Sequence, residues 1–329
     1  MARAMDPAYD VLVYGPVFCD IIFTDLPSLP VLGTEIFAGD LTATVGGSAI
    51  VAAGLHRLGA RVGLIADLGA DPFSAIIRSV LDDIGLERAL IREHPHPLPR
   101  TTVALSFPAD RAFVTRFAQP ATAPDLTELL IAHPARHLHI CSFLAALETP
   151  DAARIAHALG MTVSMDPGWD EAALRDPQLA AMVAELDVFL PSALELCHMA
   201  SVDALTTDAL TTAAQTTCTA MADGALLVVK QGAAGATAFA ERGHATTHVG
   251  VLPVTPVDTT GAGDAFDAGF LFGYVNKMPV DQCMRYGAVC GGLSTTGTGG
   301  IDALPTRTEV ESWLPKLPSS AAAAPTPPV

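Results

Sequence analysis

The chain has 329 residues, half of them hydrophobic and 16% charged, which excludes a largely disordered protein and provides for a substantial core. Its net charge is −17 and it has no dense Lys/Arg cluster, so no nucleic acid is expected as a partner, because phosphate backbones are bound by cations that displace counterions. The six cysteines (Cys19, Cys141, Cys197, Cys218, Cys283, Cys290) match no C-x-x-C pair or zinc spacing and read as buried thiols of a reducing compartment.

The opening "MARAMDPAYDVLVYG" has no long apolar run after a basic start, and no apolar stretch reaches the ~20 residues of a membrane helix. A cytoplasmic protein that engages no membrane is expected. "DVLVYG" (10–15) reads as a buried strand closed by glycine. "GSAIVAAGLHRLGA" (47–60) reads as a helix and "RVGLIADLG" (61–69) as a strand. "PFSAIIRSVLDDIG" (72–85), proline first and glycine last, reads as a helix. Further on, "HLHICSF", "MTVSMD", "DVFLPS" and "ALLVVKQG" read as short strands separated by helical segments. This alternation predicts an α/β fold, with a mainly parallel central sheet and helices on both faces. Two stretches, 33–47 and 100–118, read as strands without helices between them, the second with a hairpin signal at "FPADRAF". Such an insert forms either a flap over a site or a surface excursion. The Pro/Ala-rich end, 318–329, reads as a disordered tail.

In "VDTTGAGDAF" (257–266) two glycines and two carboxylates stand where an apolar helix begins. The glycines allow a tight turn, so that N–H groups of Gly261, Ala262, Gly263 and Asp264 can converge on one anion at the positive end of the helix. A transferring phosphoryl group is such a charge. Asp264 then has either a proton to accept from an attacking hydroxyl or only a helix dipole to complement, a contribution of ~0.3–1 kcal/mol, and spacing leaves both open. A dinucleotide site fits less well, since these glycines come late and no acidic residue ends a following strand.

"DTTGAGDAFDAGF" resembles the C-terminal signature of the PfkB, or ribokinase-like, family of sugar and nucleoside kinases. The likeness runs from "VYGPVFCD" to "GGIDALPT", and "VGGSAIVAAGLHRLG" resembles the family's first signature. It implies one kinase domain over 1–317, with a small β-sheet lid drawn from about 16–46 and 98–120. It implies Asp264 as catalytic base and Gly261, Ala262 and Gly263 as the anion hole. Gly46 and Gly47 would let a polyhydroxy substrate approach the backbone, and Asp20 would bind its hydroxyls, although alone it reads as a cap or turn residue. Glu195 matches a residue that positions Mg2+ through water; alone it reads as a surface charge. Asp258 is similar to a residue that helps place a monovalent cation such as K+. Lys230, Gly232, Thr260, Gly261, Gly263 and Gly291 fall in segments that resemble those around ATP. Phe107, Phe113 and Phe117 would sit on the lid, which often forms a dimer interface in relatives and so implies a homodimer.

Three departures stand out. Ile50 and Ser192 occupy positions where relatives carry Asn, and "DPGWDEAAL" stands where some carry Asn and Arg. The expected activity is ATP-dependent phosphorylation of an alcohol on a small sugar-like compound. A nucleoside kinase and a catalytically idle binding homologue are the alternatives.

Overall fold

Each short aliphatic run of the α/β rhythm forms a strand, and each strand finds its neighbour across a helix. The computed structural model describes residues 7–107, 111–202, 206–240 and 243–318. In chain order the elements are β1 (Tyr9–Tyr14), β2 (Val17–Thr24), β3 (Asp40–Gly47), α1 (Ser48–Arg57), β4 (Val62–Leu68), α2 (Pro72–Asp83), β5 (Ile91–Glu93), β6 (Arg100–Ser106) and β7 (Arg111–Phe117). There follow α3 (Leu126–Ala132), β8 (Ala135–Cys141), α4 (Phe143–Glu148), α5 (Ala152–Ala158), β9 (Thr162–Asp166), α6 (Pro177–Val183), β10 (Val188–Phe189), α7 (Ala193–Met199) and α8 (Thr207–Ala220). The chain continues with β11 (Leu226–Lys230), β12 (Ala236–Ala240), β13 (His244–Val249), α9 (Ala262–Val275), α10 (Val280–Ser294) and α11 (Arg307–Trp313).

Nine strands form the large sheet in the order β13-β12-β11-β10-β9-β8-β1-β4-β5. The pairs from β11 through to β5 are parallel, and β12 and β13 add an antiparallel edge that the sequence reading did not contain. Alternate residues of a strand enter opposite cores: Val11 and Val13 join α1, α9 and α10 on one face, while Leu12 and Tyr14 join α3, α5 and α8 on the other. The expectation of helices on both faces holds. On β8, His137 and His139 are fully buried, and burial pushes both down to about 3, so they are neutral members of the core.

The second sheet is small, in the order β3-β2-β6-β7. Only Asp40–Gly47 of the 33–47 stretch is a strand. The hairpin reading of 100–118 agrees with antiparallel pairing of β6 and β7, although residues 108–110 at its turn lie outside the described residues, as do 319–329 of the tail. Within the sheet Asp20 pairs with Thr44 and Thr102, and Thr102 pairs with Thr115, so one face carries a carboxylate and three hydroxyls. Thr44 and Ile22 on that face abut Gly299, which brings the face against the loop before α11. All six cysteines are free thiols, five of them buried. Among the described residues no helix is long and apolar enough to cross a membrane.

Candidate active site

The carboxyl ends of parallel strands are where an open α/β sheet gathers loops and helix N-termini. Here the turn into α9 is held by Asp258, whose side chain is 2% exposed residue-wide. Its Oδ1 accepts from Thr260 N–H (3.0 Å) and Thr260 Oγ1 (2.8 Å), and its Oδ2 accepts from Gly299 N–H (2.9 Å). Asp258 therefore ties the signature to the loop after α10. Gly261 follows as the N-cap of α9 with φ 70°, the left-handed region in which a side chain is strained. A Cβ there would stand 2.5 Å from Ile50 Cδ1. Beyond it, Ala262 N–H reaches back to Thr259 O at 3.3 Å. The N–H groups of Gly261, Gly263 and Asp264 donate to no acceptor among the described residues. Of the four amides named in the sequence, Ala262 alone thus has an acceptor among the described residues.

Asp264 is largely buried and its carboxylate has no hydrogen-bond or ion-pair partner among the described residues. Burial and then the charge of Asp166 push it up to about 7; Lys230 pulls it down, and Asp20 and Glu195 push it up again. Asp20, 7% exposed, is likewise unpaired and rises to about 7, through burial first and then Asp258. Gly46 is where it is because Asp20 lies over it: a Cβ would stand 2.1 Å from Asp20 Oδ2. Gly47, with φ 65°, turns the chain from β3 into α1. So Asp20 and Asp264, distant in sequence, are close enough for the charge of Asp20 to raise Asp264.

The other predicted residues divide. Glu195 stands in the first turn of α7, its Oε2 accepting from Ser192 N–H (2.7 Å) while Ser192 Oγ accepts from Glu195 N–H (3.2 Å). This is a capping box, so Ser192 supplies the helix cap itself. Burial first, then Asp166, raises Glu195 above the usual glutamate value. Gly232, exposed with φ 56°, leaves open space after β11. Gly291 is buried against Ala262 O (2.9 Å from a built Cβ), and with Gly269, Gly273 and Gly287 it lets α9 and α10 approach closely. Its position is that of a packing glycine. Lys230 Nζ is bound by Asp166 and Asp267. Neither acid was singled out from the sequence; a lone Asp in the apolar run after Asp264 was the available signal for Asp267. Phe117 stacks under the Arg100 guanidinium (4.9 Å) and beside Phe18 (5.9 Å), Phe113 is half exposed, and Phe107 is partly buried. A separate cavity of about 390 Å³, lined by Tyr14, Leu90, Arg92 and Glu128, contains none of these groups.

Three free amides at a helix start fit a phosphate, and the acidic surroundings (Asp20, Asp166, Glu195, Asp264) would repel it unless a divalent cation came with it. Among the described residues no group of three or more His, Cys, Asp or Glu forms a chelating cluster, so such a cation would depend on phosphate and water for most of its ligands. Asp258 accepts two protein hydrogen bonds on Oδ1 and one on Oδ2, which leaves one of its roughly four lone-pair positions open.

The molecule thus combines a two-sheet α/β fold with a glycine turn whose amides lack acceptors and a carboxylate without a partner. The profile of the pfkB family carbohydrate kinases matches residues 10–307, and the chain belongs to that family. It is similar to fructokinase from Salmonella typhimurium (30% identical over 279 residues, 79% of this chain and 88% of that one). It is also similar to acarbose 7(IV)-phosphotransferase from Actinoplanes sp. (31% over 312 residues, 89% and 95%). The structure of Arabidopsis thaliana ribokinase complexed with ribose and ATP superposes with a TM-score of 0.78 at 22% identity, covering 93% of this chain and 99% of that one. The protein is thus a carbohydrate kinase, an ATP-dependent phosphotransferase acting on an alcohol group of a sugar.

Proposed function

We propose that the acceptor is a hydroxyl of a free sugar and that Asp264 takes its proton. The observation that carries this reading is a carboxylate without a partner, poised near neutrality, beside three amides without acceptors. The amides of Gly261, Gly263 and Asp264 would receive the charge that develops on the transferred phosphoryl group. Asp20 would accept hydrogen bonds from two neighbouring sugar hydroxyls, with Thr44, Thr102 and Thr115 beside it. Mg2+, when bound, would neutralise charge on the nucleotide phosphates, with Glu195 holding it through water. Thr260 and Gly232 would border the nucleotide. The small sheet would act as a lid that keeps water from the phosphoryl group.

A sugar is favoured over a nucleoside by the place of Ile50. It is 1% exposed, packed on Gly261 and Gly300, and so offers a base no apolar face. Exposed Leu41 and Val114, on the face of the small sheet opposite Asp20, support pairing with a second copy there. Dependence on ATP and six free thiols support a cytoplasmic setting.

With MgATP fixed, ADP release is to be measured with D-fructose, D-ribose, D-glucose, adenosine and inosine. At least one sugar is expected to turn over at least about tenfold faster than either nucleoside, a difference of ~1.4 kcal/mol in transition-state binding. Faster turnover of a nucleoside would reject the sugar reading. Gly46→Ala tests Asp20 separately. The added methyl must displace the carboxylate, so KM for the sugar should rise by about 10- to 100-fold, the worth of one charge-assisted hydrogen bond, with KM for ATP little changed.

A further inference from the structure

The N-terminal half of α9 is anchored by a cation, Lys230, through Asp267 in its second turn. Lys230 Nζ lies 2.7 Å from Asp166 Oδ2 and 2.9 and 3.1 Å from Asp267 Oδ2 and Oδ1. The side chains of Lys230, Asp166 and Asp267 are 11%, 17% and 0% exposed. An ammonium group has three donors, and three carboxylate oxygens are within reach, so none remains for a phosphate or a ribose.

The charges balance only if one acid keeps a proton. Burial, above all, holds Asp267 well above the usual range. Asp166 falls below it: burial works against its charge, but Lys230 and a hydrogen bond from Asp267 outweigh that. Lys230 is opposed by burial too, yet Asp166, Asp267 and Glu195 keep it charged. The mechanical consequence follows from where the three stand. Asp166 ends β9, Lys230 ends β11, and Asp267 lies three residues past Asp264, on the same side of α9. The clamp therefore spans β10 and fastens the helix start to two strand ends. Gly263, beside Asp264, has no side chain where Lys230 passes, with Nζ 3.5 Å from a built Cβ.

We propose that Lys230 is a positioning residue for phosphotransfer: by gripping Asp267 and Asp166 it places the first turn of α9, and with it Asp264 and the neighbouring amides. This rests on the reading of Asp264 as the base. A buried pair that acts as one unit loses its effect once, whichever partner is removed. Lys230→Met, Asp267→Leu, the double variant and Asp267→Asn are to be compared in the full chain, with ATP and the panel sugar that turns over fastest. Lys230→Met and Asp267→Leu should each lower kcat by about 10²-fold, the cost of a misplacement near 1 Å, and the double variant should lose no more than the worse single. Asp267→Asn still accepts from the ammonium and should stay within about threefold of wild type, as should KM for ATP throughout. Losses in kcat that multiply in the double variant would overturn the assignment. So would a tenfold or greater rise in KM for ATP with kcat kept in Lys230→Met, which would make Lys230 a nucleotide contact. If the apolar variant does not fold, Lys230→Gln takes its place with the same expectations. Asp264→Asn run alongside separates the two readings: near-normal turnover there sinks the base, whereas a dead Asp264→Asn with multiplying losses sinks the clamp alone.

Discussion

Asp264→Asn is expected to lower kcat by about 10²- to 10⁴-fold, the usual contribution of a positioned general base, while calorimetric binding of ADP is retained. Asn keeps the shape of the side chain and cannot take a proton. The same replacement should make the protein more stable, and more so at pH 8 than at pH 5. In the folded state Asp264 is raised to about 7, above its unfolded value. The stability this group contributes is full in acid and is lost as pH rises through 7, because the buried carboxylate must then carry its charge. At pH 8 Asn removes that whole cost, and at pH 5 only part of it. Thermal unfolding midpoints at the two pH values check the sign. In the wild type, activity has the opposite dependence: the base acts ionised, so kcat/KM should fall below pH 7. Asp166, Lys230, Asp20 and Glu195 all face Asp264, and Asp20 titrates in the same range, so the fall should be steeper than about tenfold per unit. A variant with wild-type kcat, or a flat profile from pH 5 to 8, would remove Asp264 from the reaction.

Gly261→Ala should be nearly as damaging, for a different reason. At φ 70° an alanine costs about 1–2 kcal/mol in backbone strain alone. The added methyl also meets Ile50 Cδ1 at 2.5 Å and Gly300 Cα at 3.3 Å, and Ile50 is too buried to retreat. The turn must re-form, which shifts the amides of Gly261, Gly263 and Asp264. Loss of one such donor elsewhere in enzymes costs about 10²–10³ in kcat, and that is the expected loss here. KM for the sugar should change little if Asp20 binds the sugar as proposed. Steady-state kinetics together with a circular dichroism spectrum like that of the wild type would separate this from unfolding; an active Gly261→Ala enzyme would show that the amides need no left-handed turn.

Ile50 and Ser192 show how the apparent defects of this chain resolve. Read along the sequence, an apolar residue and a hydroxyl replace two amides, and the loss of substrate contacts is the natural worry. In the folded chain Ile50 fills the space behind Gly261, and Ser192 caps α7 as well as Asn does, hydrogen bonds included. Ile50 thus backs the turn that carries the Gly261 amide, and Ser192 completes a helix cap.

Local chemistry along the chain was enough to define the strand–helix rhythm and the start of α9, whereas the roles of Asp264 as a base and Asp20 as a hydroxyl binder came from the resemblance of their segments to the family's signatures. Glycine spacing, helix caps and aliphatic runs act within a few residues, and such preferences survive whatever the rest of the molecule does. Contacts across strands do not. Asp166 and Lys230 are 64 positions apart and meet because β9, β10 and β11 lie side by side, an order that no spacing encodes. The packing of α9 on α10 claimed Gly291 in the same way, and it was the stacking of one layer on another that turned Lys230 toward two acids.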